Sequence, residues 1–188
     1  MSSLLDDPAI SLARLTVDQY HQMVDKGVLI DGDPLELYEG VLVEKMTEGP
    51  PHSFRITQLA RLLIRLVGDA PWQVRVQHPI STSDSEPEPD LAVVADNDYS
   101  QRHPSGSDIA VVVDVAGSSL ARDRSTKQRI YAKAGIPQYV IVNLVDDVIE
   151  SYTEPISGND ARYGRHDTLS VGVLELGPLT VDVATLRS

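Results

Sequence analysis

Two aspartates and a lysine carry the clearest chemical signal in the sequence. Asp90 stands in Glu88-Pro89-Asp90, directly before the apolar run Leu91–Ala95, and Asp114 interrupts the run Val111-Val112-Val113-Asp114-Val115. A carboxylate inside a buried strand costs several kcal/mol unless it is paired, hydrogen-bonded or metal-bound. If the two runs are neighbouring strands, both acids reach one edge of a sheet. At about 5 Å and an effective dielectric near 20, their repulsion is roughly 3 kcal/mol. A cation must then sit nearby, or one acid keeps its proton. Lys127 is the obvious cation. On a helical wheel at about 100° per residue it shares the apolar stripe with Asp123, Ile130, Tyr131 and Ala134, whereas Arg122, Arg129 and Lys133 point outward. An inward lysine beside two acids suits a catalytic group, and it suits a structural Lys–Asp pair equally well.

The elements that must position these groups follow from periodicity. Thr16 caps a short helix that ends at Gly27. Alternation on either side of Glu39-Gly40 predicts a hairpin over 35–46. Gly49-Pro50-Pro51 breaks the chain, and Ile56, Leu59, Ala60, Leu62, Leu63, Leu66 and Val67 form the stripe of a helix over 53–67. Strands are predicted over 73–80, 91–95 and 109–115, the last central because both its faces are apolar. A helix over 122–134 stops at Gly135, and strands over 138–142 and 148–153 follow. Short strands and turns occupy 163–183, giving a β-rich C-terminal region. The pattern predicts an α+β domain: a loose tail over 1–14, then one domain over 15–188 built on a central mixed β-sheet flanked by helices.

Composition narrows the chemistry. The 188 residues include no cysteine, which excludes disulfides, thiolate metal sites and thiol nucleophiles. Phosphate-loop, dinucleotide-binding, nucleophile-elbow and HExxH zinc motifs are absent, and the five histidines show no ligand spacing along the chain. No apolar run is long enough to span a membrane, and the first residues lack the pattern of a secretory signal, so a cytoplasmic protein is expected. The net charge of −12 argues against a dedicated polyanion binder but not against an enzyme with one local basic face. Arg122, Arg124, Lys127, Arg129 and Lys133 form such a cluster, suited to a phosphate backbone or simply to solvent. With aromatics at 5%, a base-stacking platform has no support.

These residues also carry a resemblance. The hairpin segment Leu35–Glu44, His52, Pro89-Asp90, Asp114-Val115 and the pattern Asp123-x-x-x-Lys127-x-x-x-Tyr131-x-x-x-Gly135-Ile136-Pro137-x-Tyr139 resemble, in order, the Uma2 family. The resemblance implies a restriction-endonuclease-like PD-(D/E)XK core with a Mg2+ or Mn2+ site, and DNA as substrate. Asp90 and Asp114 would be its acids and Lys127 its lysine. Glu36 would add a third metal-binding carboxylate, unless it faces solvent. His52 would touch a phosphate from a helix N-terminus, or simply cap it, with Arg122, Arg124 and Arg129 as further phosphate contacts. Two departures stand out: aspartate replaces the family's usual glutamate at 114, and Ala116 occupies the position where the nuclease signature has its lysine. They leave open a degenerate, non-catalytic member acting in binding or assembly. Edge strands in the C-terminal region, and the symmetry of a duplex substrate, lead us to expect a homodimer or higher homo-oligomer.

Overall fold

A computed structural model describes residues 11–30, 32–46 and 49–187. Residues 1–10 of the expected tail lie outside the described residues. Helix α1 (Val17–Asp25) opens with a capping box. Thr16 Oγ1 accepts from the Gln19 amide at 3.1 Å, and the Gln19 side chain accepts from the Thr16 amide at 2.9 Å. No residue of α1 is fully buried.

Strands β1 (Leu35–Tyr38) and β2 (Val41–Glu44) form the expected hairpin. Its two-residue turn puts Glu39 at φ +48° and Gly40 at φ +78°, the twist that matches paired strands. Gly40 is also a point of close approach, since its carbonyl accepts from the Leu15 amide at 2.9 Å. A Cβ there would stand 2.5 Å from Arg14 Cβ and 2.8 Å from the Leu15 carbonyl oxygen.

Helix α2 (Pro50–Val67) begins three residues earlier than its stripe suggests. Pro50 and Pro51 start the helix instead of preceding it, because a first turn needs no amide donors. Its Ile56, Leu59, Leu63 and Val67 pack on one face of a six-stranded sheet. The strands β3 (Trp72–Val76), β4 (Leu91–Ala95), β5 (Ile109–Ala116), β6 (Gln138–Asn143), β7 (Val148–Ile156) and β8 (Arg162–Leu169) lie in chain order. All neighbours are antiparallel except β5 and β6. A parallel pair needs a crossover. Here it is helical and continuous: α3 (Leu120–Arg122), a π-helical turn over Asp123–Lys127, and α4 (Gln128–Lys133).

The expected strand over 73–80 ends at Val76, because Gln77 turns away at φ +49°. The segment that follows pairs locally, Glu86 with Leu37 of β1 and Ser81 with Ser105. The C-terminal region is β-rich as expected, but its first strand is the long edge strand β8. Strands β9 (Val173–Leu176) and β10 (Leu179–Asp182) form a hairpin followed by α5 (Val183–Arg187), and their buried Leu174, Leu176, Val181 and Leu186 join the α2 side of the core. On the opposite face Ile130 and Tyr131 of α4 cover Val112, Ala116 and Tyr139.

Gly40→Ala is expected to lower the free energy of unfolding by about 1–3 kcal/mol, combining left-handed backbone with a clash. Gly27 has a similar φ of +67° but nothing within 4 Å of an added Cβ, so Gly27→Ala carries the backbone cost alone, about 1 kcal/mol. Urea midpoints at unchanged slope measure both.

Candidate functional site

Strand register brings the two aspartates together. In β4 and β5, Leu91 pairs with Val113, so Asp90 lies across from Asp114 where the ladder runs out. Side chains take over from the backbone there. Asp90 Oδ2 accepts from the Val115 amide at 2.7 Å, and Asp114 Oδ1 accepts from the Asp90 amide at 3.1 Å. Both residues are buried. Alternation puts Asp114 on the same face as Val112 and Ala116, which the crossover covers.

The crossover supplies the cation. Lys127 Nζ donates to Asp114 Oδ1 at 3.1 Å and lies 3.7 Å from Asp123 Oδ1. Burial works against the ammonium, but its neighbours, Asp114 first, outweigh it and hold the lysine protonated well above its usual range. The π turn matters here, because both its end residues, Asp123 and Lys127, are buried. Tyr139 of β6 completes the surroundings of Asp114, donating its hydroxyl to Oδ2 at 2.9 Å. Burial and the nearby Asp114 raise the Tyr139 phenol well above its ordinary value, so it remains a neutral donor. Asp123 accepts from Ser119 Oγ at 2.6 Å through Oδ2, while its buried Oδ1 has no hydrogen-bond donor. Burial, then Asp114, pushes the Asp123 carboxyl up to about 6.

Asp90, Asp114, Asp123 and Lys127 line a cavity of about 270 Å³. Among the described residues, five acids (Glu36, Glu88, Asp90, Asp114, Asp123) face three basic side chains (Lys45, Arg122, Lys127) around it. His52, in the first turn of α2, reaches in with Nε2 3.2 Å from Asp90 Oδ2. Lys45 pairs with Glu88 at 2.6 Å. Glu36 is buried rather than solvent-facing, and accepts from the Glu88 amide at 2.6 Å and the Tyr38 hydroxyl at 2.9 Å. It lines the cavity without closing a three-carboxylate cage with Asp90 and Asp114. Among the described residues, the one trio of His or acid groups with ligand atoms within 4.8 Å of one another lies elsewhere, at His21, Glu86 and His103.

The expected basic face is largely spent on acids. Arg124 forks onto the buried Glu150 at 2.7–3.2 Å and reaches Asp146 at 3.3 Å. Arg129 forks onto Glu39 at 2.8–2.9 Å, and Lys133 holds Asp84 at 2.6 Å. Of the three arginines, Arg122 alone lines the cavity, donating to the Glu44 carbonyl at 3.2 Å. Ala116 is buried, and Lys127 approaches Asp114 from the crossover instead. The sequence pattern contains Asp123 and Tyr139 but assigns neither a role. The signal for Asp123 was its place on the inward stripe four residues before Lys127. No pattern within one element points to Tyr139.

The Asp123 shift gives a pH dependence. A carboxyl raised to about 6 from its ordinary 3.8 contributes stability that is fully present below pH 4 and lost as pH rises through 6. The loss is on the order of 3 kcal/mol. Asp123→Asn, unable to ionise, should show a shallower fall in Tm between pH 4 and 6.5 than the wild type, by differential scanning calorimetry in metal-free buffer.

Comparison with known proteins agrees with this architecture. A family model described as Uma2, "Putative restriction endonuclease", matches residues 17–183. The crystal structure of a protein from Anabaena variabilis, described as a "putative nuclease belonging to DUF820", is similar with a TM-score of 0.72. The similarity covers 92% of this chain and 97% of that chain at 12% identity, and so shows the fold: a restriction-endonuclease-like mixed sheet with flanking helices. No curated protein sequence matches the chain. Among the described residues, no helix is long and apolar enough to cross a membrane.

Proposed function

The chain belongs to the Uma2 family, and from that premise we propose that it is a divalent-metal-dependent endonuclease hydrolysing DNA phosphodiester bonds in the cytoplasm. One observation carries this reading: Asp90 and Asp114 meet on one cavity wall with the Lys127 ammonium bonded to Asp114. The residues fit Mg2+ or Mn2+. Acids outnumber bases around the cavity by two, and Asp123 Oδ1 is buried there without a donor. Carboxylate oxygens are the hard ligands these ions prefer. Asp90 and Asp114 would hold the ion, while Glu36 lines the same cavity with its oxygens engaged by the Tyr38 hydroxyl and the Glu88 amide. The ion supplies Lewis-acid polarisation of the phosphate and a lowered pKa for attacking water.

The chain's own groups do the rest. Tyr139 and the Asp90 amide fix the Asp114 carboxylate, so its orientation is set before substrate arrives. Lys127, protonated and held by Asp114, offsets charge that grows on the phosphate oxygens. His52 and Arg122 would take a neighbouring phosphate, a role supported by their both lining the cavity. Arg124 and Arg129, committed to ion pairs, have no part in that contact.

A specific observation favours the second reading, a non-catalytic binding or assembly protein. Both Asp114 oxygens are already engaged, by Lys127, Tyr139 and the Asp90 amide, on a side chain one methylene shorter than glutamate. Plasmid cleavage with Mn2+ separates the two. As an enzyme, the wild type nicks or linearises DNA. Asp90→Asn and Lys127→Met each reduce the rate by roughly 10²–10³-fold. Lys127→Met leaves Mn2+ affinity equal or higher, because a competing cation has gone. As a binding protein, the wild type neither binds Mn2+ nor cuts, and Lys127→Met only lowers Tm. The nuclease reading also favours two sites related by symmetry, so sedimentation should give at least twice the monomer mass at micromolar concentration. A monomer across that range overturns the oligomer.

A further inference from the structure

Three ligand-type side chains from three separate segments meet away from the carboxylate cavity. His21 comes from α1, Glu86 from the segment between β3 and β4, and His103 from the loop between β4 and β5. His21 Nε2 lies 2.7 Å from Glu86 Oε2, and His103 Nε2 lies 3.8 Å from Glu86 Oε1. Glu86 is buried, whereas the imidazoles are 44% and 35% exposed toward a cleft of about 1020 Å³.

We propose that His21, Glu86 and His103 form a second metal site, binding one Zn2+ or a similar nitrogen-preferring divalent transition metal and separate from the Asp90–Asp114 cavity.

The donor set is the first argument. Two imidazoles and one carboxylate suit zinc and disfavour Mg2+, which selects all-oxygen surroundings. The spacing is the second. Ligand atoms about 2.0–2.1 Å from a tetrahedral zinc stand roughly 3.3 Å apart. One ligand atom from each residue lies within 4.8 Å of the other two, so the three side chains must draw in by an ångström or so to close on an ion. Charge is the third. Glu86 is buried, and among the described residues no lysine or arginine lies within ion-pair distance of it. Its polar side-chain partners are the two histidines and Ser81 Oγ, at 2.7 Å. A divalent cation would neutralise it directly. Three protein ligands leave a fourth position, open to the cleft, for water or a small ligand.

The site also sits where a cross-link is needed. No residue of α1 is fully buried, so apolar packing holds the helix weakly. A metal bridging His21 to Glu86 and His103 would tie α1 and the 96–108 loop to the segment that leads into Asp90. That segment is already anchored, by the Glu86 amide to the Leu37 carbonyl at 2.7 Å and by the Glu88 amide to Glu36 at 2.6 Å. Metal binding here is therefore expected to raise stability, since a site assembled only in the folded chain couples its binding energy to folding.

The test uses the full chain stripped with EDTA, reloaded with Zn2+ in excess Mg2+, dialysed, and analysed for metal content and Tm. The expected result is one Zn2+ per chain in the wild type and in Asp90→Asn, with a raised Tm in both. His21→Ala and His103→Ala should each weaken zinc binding roughly 100-fold and abolish the Tm gain. Both histidines are more than a third exposed, so the variants should fold, as circular dichroism without metal will verify. Co2+ loading of the wild type gives a reading that needs no variant: intense visible absorption of a tetrahedral ion. A wild type that retains no zinc overturns the proposal and leaves a hydrogen-bonded trio. Zinc that persists in His103→Ala but is lost in Asp90→Asn overturns it by assigning the ion to the carboxylate cavity.

Discussion

Burial of Asp114 is the constraint from which the rest of this architecture follows. A carboxylate in the central strand must be compensated, or it costs several kcal/mol. Strand β5 is covered on both faces, so compensation cannot come from solvent. It comes from the β5–β6 crossover, which the parallel pairing requires anyway. The π turn in that crossover carries Lys127 to Asp114, and β6 contributes Tyr139 from the other side. Removing one partner of such a buried pair typically costs about 3–5 kcal/mol, more than replacing both. The pair thus couples the crossover, the central strands and the Asp90 end of β4 into one unit.

Charge balance then separates the site from the surface. The chain is acidic overall, and the outward bases of the crossover are largely matched: Arg124 to Glu150, Arg129 to Glu39, Lys133 to Asp84. Isolated pairs of this kind contribute little to stability, about 0–1 kcal/mol each. Their effect here is to neutralise most of the positive face of the crossover. The carboxylate cavity is the opposite case, with acids in excess among its described lining residues. Local charge of this kind favours a cation; at physiological salt it acts over about 8 Å and is little affected by the distant total.

How far the sequence revealed this depends on whether a feature lies within one element or between several. Asp114 was legible because it breaks an apolar run, and Lys127 because one helical wheel shows it among inward residues. The strands over 91–95, 109–115 and 138–142 were legible as short apolar runs, and the β-rich end as short strands and turns. The start of α2 was misjudged because proline breaks a helix interior but suits a first turn. The strand over 73–80 was drawn too long because alternation does not register one residue at positive φ, here Gln77. The arginine cluster looked free because its partners Glu150 and Glu39 are remote in sequence. Glu36 could not be assigned to cavity or solvent from a four-residue strand. The His21–Glu86–His103 trio was invisible for the same reason as the arginine pairs. Its members lie 65 and 17 positions apart, and folding alone brings them together.

The central claim is that Asp90 and Asp114, compensated by Lys127, form a divalent-metal site at the end of the β4–β5 ladder. Crystals soaked in Mn2+ and measured at an anomalous wavelength test it most directly. The account predicts one anomalous peak in the cavity, within coordinating distance of Asp90 and Asp114, with Lys127 still ordered beside it. An empty cavity at saturating Mn2+, with Lys127 and Tyr139 still closed on Asp114, would contradict it.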